Sequence, residues 1–416
     1  MQSNDLANPA LWPQLLQLSR VKHRMAANLA HQPDYTCVET IERSRRRKPS
    51  RKFELIDVLR LEVALAGGTE MFAWPGDRKF EATDPRNLIR TGAIGNGYFA
   101  LHARAVFVSN VPHFTYAGDE PLAGRRAVRY DYRVPLLSSG YVLKSEGRQA
   151  VVGYHGSFWA DAQTLDVLRL TVDADDIPAI LNLTRADTEI DYQRVKIGES
   201  DFLLPLSSDL VLTDFSGNDS RNLMRFTSCR QYTGESVLSF SDPPPDAPAP
   251  AAAAPVREIQ LPPGLWIETT LDRKIDSRTA AVGDPVDAIV SRNIKHGGNI
   301  VIPKGARLTG RLRRLERLSE TYAVSIVFST LEFPGASAVF TGKLDQVGGG
   351  VRLGDSLTVG PRGETFTRRF SQVSRDPAPM PDTFFVTGGR VQLPRGFRMV
   401  WTTVPPGDKK TKEDTP

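Results

Sequence analysis

Leu11, Leu15, Leu18, Met25 and Leu29 recur at spacings of three, four or seven residues. That period places them on one face of a helix and predicts an amphipathic helix over residues 9–31. Pro13 falls in its first turn, where a missing N–H costs little, and Pro33 lies just past its end. From Tyr35 onward the period shortens to two. YTCVETIER, FELIDVLRLEVAL, RRAVRYDYRVPL, TLDVLRLTVDA, TEIDYQRVKIG and DFLLPLSSDLVLTD carry β-branched and aromatic residues, several with alternating polarity. Pro75-Gly76, Gly118-Asp119 and Gly217-Asn218 separate the runs. The connections are too short for parallel crossovers, so the ~ten strands up to residue 240 predict an antiparallel meander. A helical interruption is expected near residues 84–108. Asp84 precedes Pro85 as a cap, and YFALHARAVF spaces its apolar residues at helical intervals. Gly153-Tyr-His-Gly-Ser157 reads as a hairpin turn ahead of Phe158.

The clearest boundary is SDPPPDAPAPAAAAPVRE, residues 241–258, whose six prolines favour extended polyproline geometry. It divides a first unit, 9–240, from a second, 259–404. The second unit repeats the strand pattern in LWIETTLD, VDAIVSRNI, IVIPKGARLTGRLRRLERL, YAVSIVFSTLEF and FRMVWTTV. An Arg-rich excursion at 352–380 reads as a loop, and the charged tail 405–416 as disordered. The fold class expected is mainly β (α+β). It comprises an antiparallel curved sheet, an unclosed barrel with packed helices, followed by a second small β-barrel domain.

Composition narrows the function classes. The chain has 416 residues, 40% hydrophobic and 24% charged, which is enough to bury real cores. Its net charge of +5 is modest over that length, and nucleic-acid binding is not expected. No run approaches ~18 apolar residues, so the chain does not read as an integral membrane protein. The start, MQSNDLANPALWPQLL, shows no basic segment followed by an apolar one, which read literally implies the cytoplasm.

Candidate chemistry is sparse. The six histidines are scattered, with no HExxH, and no GxSxG elbow is present. Gly92-Ala-Ile-Gly-Asn-Gly97 resembles a phosphate loop but lacks a βαβ context. Asp173, Asp175 and Asp176 read as a solvated turn rather than a calcium site. No catalytic residue, metal or cofactor is expected. SRRRKPSRK, with Arg45, Arg46, Arg47 and Lys48, is a candidate contact patch, weighed against the solvated loop of a hairpin. Trp74, Phe158 and Trp159 are candidates for lining an apolar cavity, weighed against plain core. Cys37 and Cys229 fit either a disulfide, which would imply an oxidising compartment, or two buried thiols.

Two resemblances follow from these runs. Residues 9–240 resemble the LolA/LolB-like lipoprotein-carrier fold. The carrying features are the helix followed by YTCVETIERSRR, the hairpin with Trp159, Asp161, Thr164, Arg169 and Leu170, the strand reaching Tyr192, and FLLP at Phe202 to Pro205. The resemblance implies an exported envelope protein with an unclosed barrel and an apolar cavity for acyl chains. Residues 259–404 are similar to the β-barrel domain of TrbI-type secretion and conjugation channel proteins. That similarity rests on VGDPVDAIVSRNI, IPKGARLTG and the closing GRVQLPRGFRMVWTTVP.

Together these readings lead to a non-enzymatic protein of the periplasm or cell envelope. Its first unit would be a lipid- or lipoprotein-binding scaffold, and its second a β module docking to an envelope protein or the cell wall. The alternative is an envelope interaction or assembly protein without small-ligand binding, using sheet edges and the basic loop.

Overall fold

A computed structural model describes residues 13–77, 79–80, 82–89, 94–95, 99–145, 147–232, 257–348, 351–352, 357–359, 365–367 and 382–405. By its packing the chain divides into two compact units, Met1–Leu55 with Leu61–Gly234, and Ile56–Arg60 with Glu235–Pro416. The Pro/Ala stretch lies outside the described residues apart from Arg257 and Glu258, as do most of the 352–380 excursion and residues 406–416.

The first unit opens with helix α1, Pro13–His31. Twelve strands follow: β1 Tyr35–Arg46, β2 Glu54–Ala66, β3 Thr69–Ala73, β4 His113–Asp119, β5 Ala127–Val134, β6 Val142–Ser145, β7 Arg148–Val151, β8 Gly153–Asp161, β9 Val167–Asp175, β10 Leu183–Ile197, β11 Ser200–Asp214 and β12 Asp219–Gln231. Ten of them form one sheet in the order β3-β2-β1-β12-β11-β10-β9-β8-β5-β4, while β6 and β7 pair as a separate hairpin. This is the curled, unclosed antiparallel sheet expected. Its edges differ from those of a plain meander. The first and last strands pair in the middle, from Tyr35 opposite Gln231 to Arg46 opposite Asp219. The open seam therefore falls between β3 and β4, which are consecutive in sequence. The connection between these two edges carries the expected helical interruption. It holds the turn Pro85–Asn87, capped by the Asp84 carboxylate accepting from the Arg86 N–H, and the helical stretch Leu101–Ala103 continuing as Arg104–Val108.

Strand pleating puts alternate residues inside. Tyr130, Phe158, Leu170, Ile190, Ser208, Met224 and Ile41 face one another in a single row across seven strands, and all are buried. α1 lays Val21, Met25 and Leu29 onto this core. The stripe is shorter than the spacing predicts, because Leu15 stays 52% exposed. The outer face is a lattice of cross-strand ion pairs. Arg169 bonds Asp191 at 2.7 Å and Glu189 at 2.9 Å, Arg221 bonds Asp209 at 2.8 Å, and Arg225 bonds Glu42 at 2.9 Å. Exposed pairs of this kind contribute little each, and they keep one face of the sheet wet.

The segment Gly153–Ser157 is not a hairpin turn: it belongs to β8, a continuous strand between β5 and β9. Its glycines mark close approach instead of chain reversal. A Cβ on Gly156 would sit 2.0 Å from the Thr171 carbonyl oxygen and 2.9 Å from the Tyr132 hydroxyl. The missing side chain lets Tyr132 reach over the strand and donate to Thr171 O at 2.6 Å. Gly156→Ala is therefore expected to cost about 3 kcal/mol, since backbone must move and a buried hydroxyl loses its acceptor. Urea unfolding followed by Trp fluorescence checks this, and a loss under ~0.5 kcal/mol would contradict it.

The second unit is also β. Its main sheet places Trp266–Leu271 between Arg398–Thr403 and Pro285–Val290, and continues through Arg307–Leu318 and Thr321–Phe333 to Thr383–Thr387. The core holds Trp401, with Phe328 and Phe340 edge-on at 5.3 and 6.2 Å. Asp276, buried, is bonded by Arg390, which holds its carboxyl well below the usual range. Among the described residues no helix is long and apolar enough to cross a membrane.

Candidate functional site

The β6–β7 hairpin packs back onto the sheet through Leu143, Val152, Leu181, Leu183 and Ala186. Between that hairpin, the helical stretch at 101–105 and strands β10 and β11 lies a cavity of about 500 Å³. Leu183, Leu210, Leu212 and Tyr154 come to it from the sheet, Leu101, His102 and Ala105 from the helical stretch, and Tyr141, Val142 and Leu143 from the hairpin arm. The apolar wall follows from pleating. Leu210 and Leu212 are two apart on β11, so both point to the inner face. The volume lies within the ~300–1,000 Å³ of small-molecule sites.

Polar groups gather at one side. Asp84 accepts from Arg86 Nε at 2.8 Å and lies 3.5 Å from Lys144 Nζ. The hydrogen bond from the Arg86 side chain leads the effects that hold the Asp84 carboxyl down at about 2. Arg86 and Lys144 keep 35% and 40% of their side-chain surface, so they form a rim where the cavity meets water. His102 stands edge-on to Tyr141 at 5.4 Å between ring centres. Desolvation pulls its pKa to about 4, leaving the imidazole neutral at pH 7. Burial likewise pushes the Tyr141 phenol to about 12. Both shifts carry His102 and Tyr141 away from neutrality.

A second buried polar group stands on the inner face. Glu39 on β1 faces Phe226, is 3% exposed, and among the described residues its Oε2 has no hydrogen-bond partner. Burial, and then the Glu70 carboxylate, raise its pKa to about 8. Glu70 on β3 accepts from the Ala100 N–H at 2.9 Å, tying edge strand β3 to the start of the helical stretch. Tyr35, fully buried against Phe99 at 4.7 Å, lies within the field of Glu70 and has its phenol pushed up mainly by burial.

The aromatic candidates from the sequence sit elsewhere. Phe158 is fully buried between Tyr130, stacked at 5.2 Å, and Phe107 at 5.1 Å. Trp159 takes the opposite face of β8, with the Arg129 guanidinium 5.2 Å from its ring. Trp74 is buried just past the end of β3. None of the three is among the residues that line the 500 Å³ cavity. Sequence reading missed Leu183, Leu210 and Leu212, although the alternation in DLVLTD already puts two of them on one face.

The basic run closes the β1–β2 hairpin, with the Ser50 N–H donating to Arg47 O at 2.8 Å. Arg46 donates to Asp219 at 2.6 Å and lies 4.7 Å from the Phe53 ring, with Arg221 near the same ring at 5.5 Å. Arg45 stands opposite Ser220 on β1, while Arg47 and Lys48 are exposed in the loop. The Gly92–Gly97 run is described only at Ile94 and Gly95. Asp173 has its pKa raised to about 6, by burial and by Asp187, and pairs across the sheet with His155. Both belong to the outer face and line no part of the cavity. Asp175 is bonded by His155 at 2.9 Å, and the described residues hold no cluster fit for a metal ion.

Cys37 on β1 and Cys229 on β12 are joined by a disulfide.

No family model and no curated protein matches the sequence. Among solved structures, the chain is similar to a domain described as an outer membrane lipoprotein-sorting protein from Vibrio parahaemolyticus. The two are 11% identical, over 53% of this chain and 94% of that one, with a TM-score of 0.30. It is also similar to a DUF1329 family protein from Desulfovibrio piger, 12% identical over 53% of this chain and 93% of that one, with a TM-score of 0.29. The resemblance of the second unit to a TrbI-type barrel finds no support in these comparisons.

Proposed function

We propose that the first unit is a non-enzymatic binder of an apolar chain, the acyl chain of a lipid or lipoprotein, acting in the cell envelope. The second β unit is then a module that docks to an envelope partner. The observation that carries this reading is the cavity walled by Leu183, Leu210, Leu212 and Tyr154. Burying ten methylenes there would contribute ~8 kcal/mol before ordering costs, enough for a useful affinity. The disulfide supports an oxidising compartment such as the periplasm.

Organic extraction of the natively purified protein, followed by mass spectrometry, is expected to release an apolar ligand. An environment-sensitive apolar dye should bind the delipidated protein, and Leu210→Trp or Leu212→Phe should weaken it about tenfold by filling the wall, with unchanged circular dichroism. Absence of any extracted ligand together with no dye binding by the parent protein would overturn the reading.

The exposed apolar side chains near the hairpin favour the assembly alternative as a second reading. Leu137 is 99% exposed, and Val142 and Val151 are also exposed. Leu137→Ser would then abolish a defined cross-link in the native envelope while leaving dye binding intact.

A further inference from the structure

The cavity rim carries a charge balance that its apolar wall does not require. Among the described residues its charged lining is Asp84, Arg86 and Lys144, two cations to one carboxylate. That carboxylate is already engaged: Asp84 accepts from the Arg86 backbone N–H at 3.0 Å and from Arg86 Nε at 2.8 Å. Lys144 is only loosely paired with it, at 3.5 Å, and an ammonium has three donors to place. The neutral His102 adds no charge. Among the described residues one positive charge is therefore in excess where the apolar wall meets water. Gln149 lines the same cavity as a further donor. Size limits the occupant too. At roughly 30 Å³ per methylene, close to the share of a liquid water, a cavity of about 500 Å³ has room for one long chain.

We propose that this cavity selects a single-chain amphiphile with an anionic headgroup, a carboxylate or a phosphate. Its chain lies against Leu183, Leu210 and Leu212, and its head is held by Lys144 and Arg86. The proposal rests on the reading of the cavity as an apolar-chain site. It adds the sign of the headgroup and the number of chains. Arg86 contributes a planar fork of donors that suits either anion, and Lys144 a mobile point charge.

The test uses the full chain, delipidated, with a bound apolar dye. Displacement is measured with dodecanoate, dodecyl phosphate and dodecyltrimethylammonium, each below its micelle concentration, and with dodecanol below its solubility limit. Both anions are expected to displace the dye at concentrations about tenfold lower than the ammonium amphiphile. The gap should narrow near 1 M salt, where the screening length falls to ~3 Å. Lys144→Gln should shrink the preference and Lys144→Glu reverse it. A difference between the two anions tells which headgroup is preferred. Equal displacement by all four amphiphiles would overturn the proposal and leave the apolar-chain reading standing. No displacement by any of them would overturn both. The comparison on the parent protein decides the matter even if a variant fails to fold.

Discussion

With Cys37 and Cys229 both replaced by alanine, the first unit is expected to lose about 5 kcal/mol of stability. The two residues are 192 apart in sequence, so the bond closes a very long loop in the unfolded chain. Chain entropy is where most of the effect lies, because the native neighbours hold their places without it. β1 and β12 remain paired from Tyr35 opposite Gln231 to Arg46 opposite Asp219. For a unit of this size the loss corresponds to a melting temperature lower by ~10–20 °C. Thermal unfolding of the double variant should match that of the parent under reductant. Cys37 is only 1% exposed, so reduction should be slow in the native state and fast once the unit opens. A melting temperature within ~2 °C of the oxidised parent would show that the bond does not stabilise this sheet.

Glu39→Gln is expected to flatten the pH dependence of stability. The carboxyl goes from an ordinary value near 4.5 in the unfolded chain to about 8 in the folded one. Below pH 4.5 it is protonated in both states and has no differential effect. Between the two values the folded unit holds a proton that the unfolded chain has released. Stability from this group is therefore fully present in acid and is lost as pH rises toward 8. The full span is roughly 4–5 kcal/mol. The physical causes are burial and the neighbouring Glu70, which accepts N–H bonds from Ala100 and Leu101. A neutral amide removes the titration and keeps the shape. Urea midpoints of parent and variant should nearly coincide at pH 5 and separate at pH 9, the variant being the more stable. Parallel profiles across that range would mean that Glu39 is ionised and compensated in the fold.

Much of the architecture was written in local pattern. The helix period of Met25 and Leu29, the two-residue alternation of DLVLTD, and the Asp84-Pro85 cap each specify an element that the structure contains. Reading Gly153–Ser157 as a turn failed because two glycines in a strand look the same whether the chain reverses or another side chain passes over it. The helix face was overdrawn at Leu15, because periodicity states which residues share a side but not how far the underlying sheet extends. The cavity was harder still. Leu183, Leu210, Tyr154 and Leu101 come from four elements, and only the curl of the sheet and the packing of the β6–β7 hairpin bring them together. The burial of Glu39 beside Glu70 depends in the same way on β3, a strand 31 residues further along the chain. Arg46 and Arg221 meet over Phe53 only because β1 and β12 are neighbours.

That neighbourhood fixes the order of events when the chain is made. Within the first unit the first strand has its central ladder with the last, and residues 35–46 wait until 219–231 have been synthesised. Most native contacts of this kind are distant in sequence, which makes assembly slow and concerted. A nascent polypeptide of this layout forms its sequential hairpins first and closes the pairing of its first strand only in a late step.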